Sequence, residues 1–342
     1  MEHASPELSA DCRATPLPAL LDDRNEPGDH FLRSHHGVPR LAESDYALEV
    51  TGLVGRPVRW SLADLRKLSH MTAHVTLECA GHRRTELDPP AAGVPWALGA
   101  VGHARWAGGA LHDLLTIVRP QPDATHVVFH GADPGAIEGY DEPQPFARAV
   151  PLADPAIRET ILAWEMNGRR LEPEHGYPVR AIVPGWYAVA SVKWLTRIEL
   201  IAGPFDGFYQ AVDYRLREEG EEGPGRELTH MPVSSLIVDP GDGDEVPAGE
   251  ALVRGIAWGG VRGVGGVEVQ VDDGDWRAAR IDPGPGRHAP TRFSLAVDLA
   301  PGPHVLRSRA RDREGDVQPA TQPWNARGYG VRSVRDVAIT AV

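Results

Sequence analysis

The first two thirds of the chain mix short apolar strands with short helices in no regular order. Residues 46–53 alternate apolar and polar side chains as a strand does, and Ser61 is a helix N-cap ahead of the amphipathic segment 62–65. Residues 109–118 have the pattern of a helix. Further strands are predicted over residues 74–77, 125–130, 179–183 and 191–201, and residues 161–166 form another apolar segment. This irregular mixture predicts an α+β fold rather than a doubly wound sheet.

From Met231 onward the pattern is that of strands alone. Turns rich in Asp, Gly and Pro separate the apolar stretches at a spacing typical of a β-sandwich. Strands are predicted over residues 234–238, 251–258, 266–271, 293–299, 304–310 and 334–340. We therefore expect an immunoglobulin-like β-sandwich, which follows an acidic, glycine-rich connection at residues 215–225.

These patterns divide the chain into three parts. Residues 1–28 are polar and interrupted by proline, so we expect a flexible N-terminal leader. Residues 29–228 form the mixed α+β domain, and residues 229–342 form the β-sandwich. A length of 342 residues suits two domains of ordinary size.

The charge of the chain limits its partners. Its formal net charge is −13, which argues against a nucleic-acid-binding protein or one held on anionic lipid. An anionic substrate would need a local basic pocket to overcome that charge. No apolar stretch is long enough to span a bilayer and no export signal is visible, so we expect a cytoplasmic protein.

Several common motifs are missing from the sequence. The glycine-rich run at 259–266 is a turn rather than a dinucleotide-binding motif, because Glu268 occupies the last glycine position. His70 and His74 have helical spacing, but no third ligand is near them in the sequence, so a zinc site is not predicted. Cys12 and Cys79 cannot build a disulfide framework, and Cys12 falls in the expected leader.

The residues that follow Cys79 in the sequence favour a chemical role for its thiol. Arg83 and Arg84 follow it closely, and a guanidinium favours the thiolate form of a nearby cysteine. A thiolate is a soft ligand for a transition metal, and paired arginines make a bidentate seat for an oxyanion. The residues therefore indicate a metal–thiolate site beside an oxyanion pocket. A nucleophilic cysteine enzyme and an ordinary buried cysteine remain the alternatives at this point.

The segment 78–84, Glu-Cys-Ala-Gly-His-Arg-Arg, closely resembles the molybdenum-ligating segment of the sulfite oxidase family. His82 stands where the animal and plant enzymes have asparagine, and Ala190 where they have arginine, so the chain looks more like a prokaryotic branch without a haem domain. Further matches follow in order at residues 104–108, 163–168, 175–180, 183–187, 191–195 and 323–329.

The matches together cover about residues 30–342, nearly the whole chain. The resemblance implies a molybdopterin-binding α+β domain over 29–228, followed by an immunoglobulin-like domain over 229–342 that mediates homodimerisation. Since no haem domain is attached, it also implies that electrons leave to an external acceptor, such as a cytochrome, oxygen or another carrier.

The resemblance also implies the site residues. Cys79 would be the protein ligand to molybdenum, completed by the dithiolene of a single molybdopterin and by two oxygens. The residues implied to bind the cofactor are Phe31, Arg33, His35, Cys79, Asp133, His175, Arg180, Ser191, Val192 and Lys193. The residues implied to bind and convert the substrate are Arg33, Arg84, Trp96, Tyr214 and Arg327.

The function that the resemblance implies is the oxidation of sulfite to sulfate, with water as the oxygen source. An alternative keeps the molybdenum cofactor but uses it reductively on nitrate, an S-oxide or an N-oxide, because the same arginines would bind nitrate. An alternative from another class is a cofactor-free binding protein with an immunoglobulin-like module, in which Cys79 only packs in the core.

Overall fold

The structure, a computed structural model, describes residues 11–342, so the first ten residues of the expected leader lie outside it. The strands are β1 (Cys12–Arg13), β2 (Leu32–Arg33), β3 (Leu48–Gly52), β4 (Val58–Trp60), β5 (His70–Glu78), β6 (Val101–Ala110), β7 (His126–Gly131), β8 (Ala147–Pro151), β9 (Ile161–Met166), β10 (Arg169–Arg170), β11 (Arg180–Ile182), β12 (Leu195–Ile201), β13 (Arg215–Leu216), β14 (Arg226–Glu227), β15 (Ser234–Asp239), β16 (Glu245–Val246), β17 (Gly249–Trp258), β18 (Val264–Val271), β19 (Arg277–Ala278), β20 (Arg280–Pro283), β21 (Thr291–Leu299), β22 (Gly302–Asp312) and β23 (Asp336–Ala341). The helices are α1 (Leu62–Leu65), α2 (Leu111–Val118) and α3 (Phe208–Ala211), with short 3-10 helices at Leu17–Leu21, Arg84–Glu86, Pro155–Glu159, Pro173–His175 and Ala188–Ala190.

Two five-stranded sheets organise the first part of the chain. One has the order β10-β9-β6-β5, with β11 also paired to β9, and the other has the order β4-β3-β12-β7-β8. In the second sheet β12 runs parallel to β3, while the other pairs are antiparallel. The helix α2 buries Leu111 and Leu114 in the same core as Val50 and Ile198 of the second sheet. The first part is therefore a mixed α+β body that is rich in strands and poor in helix.

The second part contains strands only, as its sequence pattern predicts. One sheet has the order β15-β17-β21-β20 and the other the order β16-β23-β22-β18-β19. Val253 and Val297 of the first sheet share one apolar core with Val269 and Leu306 of the second. The two sheets are thus layers that bury their inner faces against each other.

A buried hydrogen bond joins the second part to the strand that ends at Cys79. The indole of Trp258, on β17, donates to Glu78 Oε2 over 3.0 Å, and both side chains are buried. Burial raises the pKa of Glu78 to about 7, although Trp258 and Arg83 lower it. The second part is therefore packed directly behind the end of β5.

The expectation of a flexible leader is wrong for residues 11–28. Strand β1 pairs with β2, Cys12 is buried, and Leu20 and Asn25 have no exposed surface. The side chain of Asn25 accepts from the backbone of His103, which ties this segment to β6. Polarity and prolines in the sequence did not indicate this packing, because the contacts come from residues far along the chain.

Strand β6 extends through residues 109 and 110, where the sequence pattern predicted the start of a helix. Its glycines allow a close approach to β9, since a Cβ at Gly108 would lie 2.0 Å from the carbonyl oxygen of Leu162. His70 and His74 lie on β5 rather than on a helix. Four strand residues span about 13 Å, so these two histidines do not form a metal-binding pair. No helix within residues 11–342 is both long and apolar enough to cross a membrane.

Candidate active site

One pocket collects most of the residues that the sequence singles out. The segment after β1 and β2, the end of β5, and the loops near β7, β11 and β12 each contribute to its wall. The sequence-predicted residues that line it are Phe31, Arg33, His35, Cys79, Asp133, His175, Arg180, Ser191, Lys193 and Tyr214. Val192 is buried beside it and is not part of its lining.

Cys79 follows directly after β5 and is held there by its backbone, whose N–H donates to the carbonyl of Ala100 over 2.8 Å. Burial raises the pKa of the Cys79 thiol, while the backbone N–H of Gly81 and the guanidinium groups of Arg84 and Arg33 lower it. A bound metal cation would reverse the effect of burial and deprotonate the thiol outright. The Cys79 thiol is thus better suited to ligating a metal ion than to acting as a free nucleophile.

Two buried cations in the pocket, Arg180 and Lys193, form no ion pair within residues 11–342, although, against the effect of burial, the charges of Asp133 and Glu174 raise the pKa of Lys193. Arg180 donates to the carbonyls of His175 and Ser191, but its Nε has no hydrogen-bond partner among the described residues. Lys193 donates to Ser34 Oγ and to the carbonyl of Glu174. Burial lowers the pKa of Arg180 to about 9 and that of Lys193 to about 7. A bound phosphate would supply the missing negative charge, so these donors fit the phosphate of a molybdopterin.

Asp133 and His175 add polar groups of different character. Asp133 Oδ1 is buried and has no hydrogen-bond partner within residues 11–342, and burial raises the pKa of this carboxyl to about 7 despite the charge of Lys193. An unpartnered carboxyl oxygen suits the amino edge of a pterin. His175 Nε2 lies 2.9 Å from the carbonyl oxygen of Pro27, and burial lowers its pKa to about 4, so the ring is neutral. The donor set of the pocket therefore fits the cofactor that the sequence implies.

The hydroxyl of Tyr214 lies 2.8 Å from His35 Nε2. Burial raises the pKa of Tyr214, although Arg33 lowers it, and the hydroxyl stays protonated at neutral pH. Burial together with Arg33 and the other nearby cations lowers the pKa of His35 well below its usual value. Burial lowers the pKa of Arg33, but Tyr214 and the thiols of Cys12 and Cys79 raise it, and the net shift of the pKa is upward. Arg33, Tyr214 and Cys79 therefore share one electrostatic environment.

Three of the six non-glycine residues with a left-handed φ in residues 11–342 lie around this pocket. Tyr214, Trp194 and Arg83 have φ angles of 48°, 50° and 63°, in the left-handed region that residues with a side chain rarely adopt. Such residues persist only where the surrounding structure holds them, and they cluster at functional sites. Tyr214 and Trp194 line the pocket, and Arg83 ends the loop at residues 79–83, which we call the Cys79 loop.

Arg84, Trp96 and Arg327 are near the pocket but do not line it. Arg84 is buried and donates to the carbonyls of Val94 and Arg327, at 2.6 Å and 2.8 Å. The guanidinium of Arg327 is exposed, so the described contact of this residue with Arg84 is through its backbone. Trp96 is buried in the apolar cluster that also contains Cys79.

Glycines make the space that Arg84 occupies. A Cβ at Gly81 would lie 2.5 Å from a guanidinium nitrogen of Arg84, and a Cβ at Gly328 would lie 2.5 Å from its Cγ. Gly328 also has a φ of +58°, so it is required both for its conformation and for its size. Gly81 comes from the Cys79 loop and Gly328 from the second part of the chain. Arg84 is therefore enclosed at the contact between the two parts.

The structure adds residues that sequence reasoning missed. His30 and Ser34 line the pocket, and Arg148 is fully buried with its guanidinium carbon 6.0 Å from the centre of the Tyr214 ring. Their sequence neighbours Phe31, Arg33 and His35 were identified as site residues, so the positions of His30 and Ser34 next to them were an available signal. Arg148 belongs to no motif that the sequence analysis recognised, and its position on an apolar strand is the one sequence feature that sets it apart.

His82 lies in the loop that follows Cys79 and contacts the second part of the chain. Its ring is edge-on to that of Trp258, with centroids 5.8 Å apart, and neither ring nitrogen has a hydrogen-bond partner in the described part of the chain. Burial, with a further contribution from Arg83, lowers the pKa of His82 to about 3. The residue that departs from the animal and plant pattern is therefore a buried neutral imidazole.

Comparison with protein families agrees with this geometry. Residues 35–209 match the family described as the oxidoreductase molybdopterin binding domain, and residues 226–341 match the Mo-co oxidoreductase dimerisation domain. A solved structure of the sulfane dehydrogenase SoxCD from Paracoccus pantotrophus superimposes with a TM-score of 0.84 at 26% identity, covering 98% of this chain and 86% of that one. The fold and the site thus define a molybdopterin-binding oxidoreductase.

Characterised relatives narrow the class further. The sulfite oxidase of Gallus gallus is 37% identical, covering 87% of this chain and 69% of the relative. The mitochondrial sulfite oxidase of Homo sapiens is 35% identical, covering 94% of this chain and 61% of the relative. The nitrate reductase of Hordeum vulgare is 32% identical, covering 87% of this chain and 37% of the relative. The chain belongs to the sulfite oxidase family, and it spans about six tenths of the length of its human relative.

His82→Asn should make the free energy of unfolding less dependent on pH. The pKa of His82 is about 3 in the folded protein and about 6.5 when unfolded, so between these values the unfolded chain binds the extra proton. Stability is therefore lost as the pH falls through 6.5, and between pH 7 and pH 5 this single group accounts for about 2 kcal/mol of the loss. Urea unfolding at both pH values measures it, with the exposed His112→Asn as control. Equal pH dependence in wild type and His82→Asn would contradict the assignment.

Proposed function

We propose that this protein is a molybdenum-cofactor oxidoreductase that oxidises sulfite to sulfate and passes the electrons to an external acceptor. The observation that carries the proposal is that one pocket brings together the Cys79 thiol, the Tyr214 hydroxyl, the Arg33 guanidinium and two buried cations that form no ion pair within residues 11–342. Such a pocket suits a metal–thiolate cofactor with a phosphate at one place and a small oxyanion at another. The sulfite oxidases among its relatives support the choice of sulfite.

The cofactor would be held by charge and by hydrogen bonds. Arg180 and Lys193 would bind the phosphate of the molybdopterin, Asp133 would accept from the pterin amino edge, and Cys79 would ligate molybdenum. When bound, the cofactor supplies the two-electron redox couple and the oxygen-transfer chemistry. The protein contributes position and electrostatics.

The substrate would be held by arginines. The protein carries a net charge of −13, so a sulfite dianion needs local positive charge to bind. Arg33 lines the pocket, and Arg84 is close enough to lower the pKa of both Cys79 and Tyr214. Arg327 would act mainly through its carbonyl, which fixes the direction of the Arg84 guanidinium.

Tyr214 would hold a proton next to the reacting oxygen. Since its pKa is raised, its hydroxyl remains a donor at neutral pH. A neutral His35 that carries its proton on Nε2 donates to the Tyr214 oxygen, which leaves the tyrosine proton free to point at the substrate. His35 would thus fix the hydroxyl, and Tyr214 would donate to the oxygen on which charge develops.

A second candidate function uses the same cofactor reductively. The similarity to a nitrate reductase favours this alternative, because nitrate is a small oxyanion that the same arginines would bind. Assays with a reduced dye against nitrate, S-oxides and N-oxides separate it from sulfite oxidation.

We infer a domain boundary near residue 229 and a homodimer formed through the second domain. The two layered sheets with a common apolar core support an immunoglobulin-like sandwich over residues 229–342, and the match to a dimerisation domain supports its role in assembly. Sedimentation equilibrium of the full chain tests the dimer. A cytochrome, oxygen or another carrier would accept the electrons.

Anaerobic stopped-flow spectroscopy tests the proposed activity. Sulfite should reduce the molybdenum chromophore of protein that contains about one molybdenum and one pterin per chain. Failure of sulfite to reduce fully loaded protein would overturn sulfite oxidation. Reoxidation of the reduced protein by nitrate, without reduction by sulfite, would support the reductive alternative.

Cys79→Ser should abolish turnover while leaving much of the pterin bound. A hydroxyl is a harder and poorer ligand than a thiolate, but Arg180 and Lys193 would still hold the phosphate. Metal analysis and pterin fluorescence measure both outcomes. Activity close to that of the wild type in Cys79→Ser would exclude Cys79 as the ligand.

Arg84→Gln should raise the apparent KM for sulfite by a factor on the order of 10–100, because it removes a charge and a bidentate fork. Sulfate should compete with sulfite in the wild type and compete less in the variant. Steady-state kinetics measure this, and the exposed Arg119→Gln is the control for overall charge. An equal rise of KM in Arg119→Gln would show that general electrostatics, and not the pocket, cause the effect.

Tyr214→Phe should lower kcat by about tenfold or more, since it removes one hydrogen bond near the reacting oxygen. The fold should be affected less, because the ring and its packing remain. Steady-state and rapid-reaction kinetics give the measurement. If both rates match the wild type, Tyr214 only packs in the core.

A further inference from the structure

Tyr329 of the second domain stacks on the ring of Tyr214. The two ring centroids are 5.3 Å apart and the planes are within 7° of parallel. Both side chains are buried, so neither ring has an exposed alternative position in the folded protein. An aromatic pair in this geometry is favourable beyond the area it buries.

A carboxylate links the same two residues through a second contact. The Tyr329 hydroxyl donates to Asp213 Oδ1 over 2.7 Å, and the backbone N–H of Tyr214 donates to the same oxygen over 2.9 Å. Tyr214 has the left-handed φ of 48°, which costs free energy for a residue with a side chain. Asp213 therefore connects the strained backbone of Tyr214 to the hydroxyl of Tyr329.

Tyr329 is itself fixed by its surroundings. The Asn325 side chain donates to the Tyr329 carbonyl over 3.0 Å and accepts from the Tyr329 N–H over 2.9 Å. The Arg84 guanidinium carbon lies 5.4 Å from the centre of the Tyr329 ring. The next residue, Gly330, donates its N–H to the carbonyl of Ala80, beside Cys79. The segment around Tyr329 is thus joined to both the Cys79 loop and Tyr214.

We propose that Tyr329 is a positioning residue, through which the second domain holds the Tyr214 hydroxyl in the catalytic pocket. The role of Tyr214 rests on the proposed function, but the placement of Tyr214 by Tyr329 does not. The ring stack sets the plane of the Tyr214 side chain, and the Asp213 link holds its backbone. Without Tyr329, the ring would lose its flat neighbour and the hydroxyl would leave its place beside His35.

A double-mutant cycle distinguishes positioning from general stability. Tyr329→Leu should lower kcat by about three- to tenfold in the wild-type background. In the Tyr214→Phe background the same change should lower kcat by less than twofold, because there is no longer a hydroxyl to position. Equal losses in both backgrounds would show that Tyr329 supports only the fold, and would overturn the proposal.

Two further variants complete the kinetic test. Tyr329→Phe keeps the ring but loses the bond to Asp213, so its kcat should stay within about threefold of the wild type if the stack is the main contact. Trp276→Leu is the matched control, since it removes another ring of the second domain that faces an arginine, 4.2 Å from the Arg309 guanidinium carbon. A loss of kcat in Trp276→Leu equal to that in Tyr329→Leu would contradict a specific role.

A spectroscopic measurement tests the placement without turnover. The chain has seven tyrosines, so protein labelled with 3-fluorotyrosine gives a small set of ¹⁹F signals, and Tyr214→Phe assigns that of Tyr214. In Tyr329→Leu this signal should shift and broaden or split, whereas in Tyr329→Phe it should remain single. A sharp, single Tyr214 signal in Tyr329→Leu would overturn the proposal even if sulfite proved to be the wrong substrate. If the Tyr214 signal becomes mobile in Tyr329→Leu but the wild-type protein does not oxidise sulfite, the proposed function is overturned and the placement of Tyr214 by Tyr329 is kept.

Discussion

Buried positive charge that no ion pair neutralises within residues 11–342 is the constraint on which the site depends. Arg180 and Lys193 are enclosed by protein, and burial lowers the pKa of both because a charge in a poorly polar interior loses its hydration. Backbone carbonyls satisfy several of their donors, but they carry no full charge to balance them. An anionic cofactor would supply that charge, and any ligand that binds only the folded chain also stabilises it. A bound anionic cofactor would therefore complete the pocket electrostatically.

The site is also a product of contact between two domains. The Cys79 loop ends a strand of the first domain, and Glu78 in that strand accepts from Trp258 of the second. Arg84 passes between Gly81 of one domain and Gly328 of the other. A side chain at either glycine would displace the arginine, so the second domain shapes the site as well as packing against it.

Sequence reasoning found the chemistry better than the packing. Cys79 was found because thiol and guanidinium groups at close spacing have a local chemical meaning, and family resemblance then placed Lys193 and Asp133. The residues it missed are held by contacts between distant segments. Arg148 lies on a strand without a motif, and Cys12 was assigned to a mobile leader although it is buried beside Arg33. Strand β6 was not predicted from the sequence, and one reason is that its glycines, which let β9 approach, weaken the strand pattern.

Arg327 contacts Arg84 through its backbone carbonyl, and not through the guanidinium that the family resemblance led us to expect in the substrate pocket. The sequence led us to expect that three arginines converge on the substrate, but the Arg327 guanidinium is exposed and its carbonyl instead accepts from Arg84. An exposed guanidinium is screened by water and salt, whereas a buried one acts at short range. The screening length at physiological ionic strength is about 8 Å, so the positive charge that binds an oxyanion must come from groups close to it. In the proposed function, Arg33 and Arg84 would therefore supply the local positive charge that an oxyanion needs, and the Arg327 carbonyl of the second domain would fix the direction of the Arg84 guanidinium.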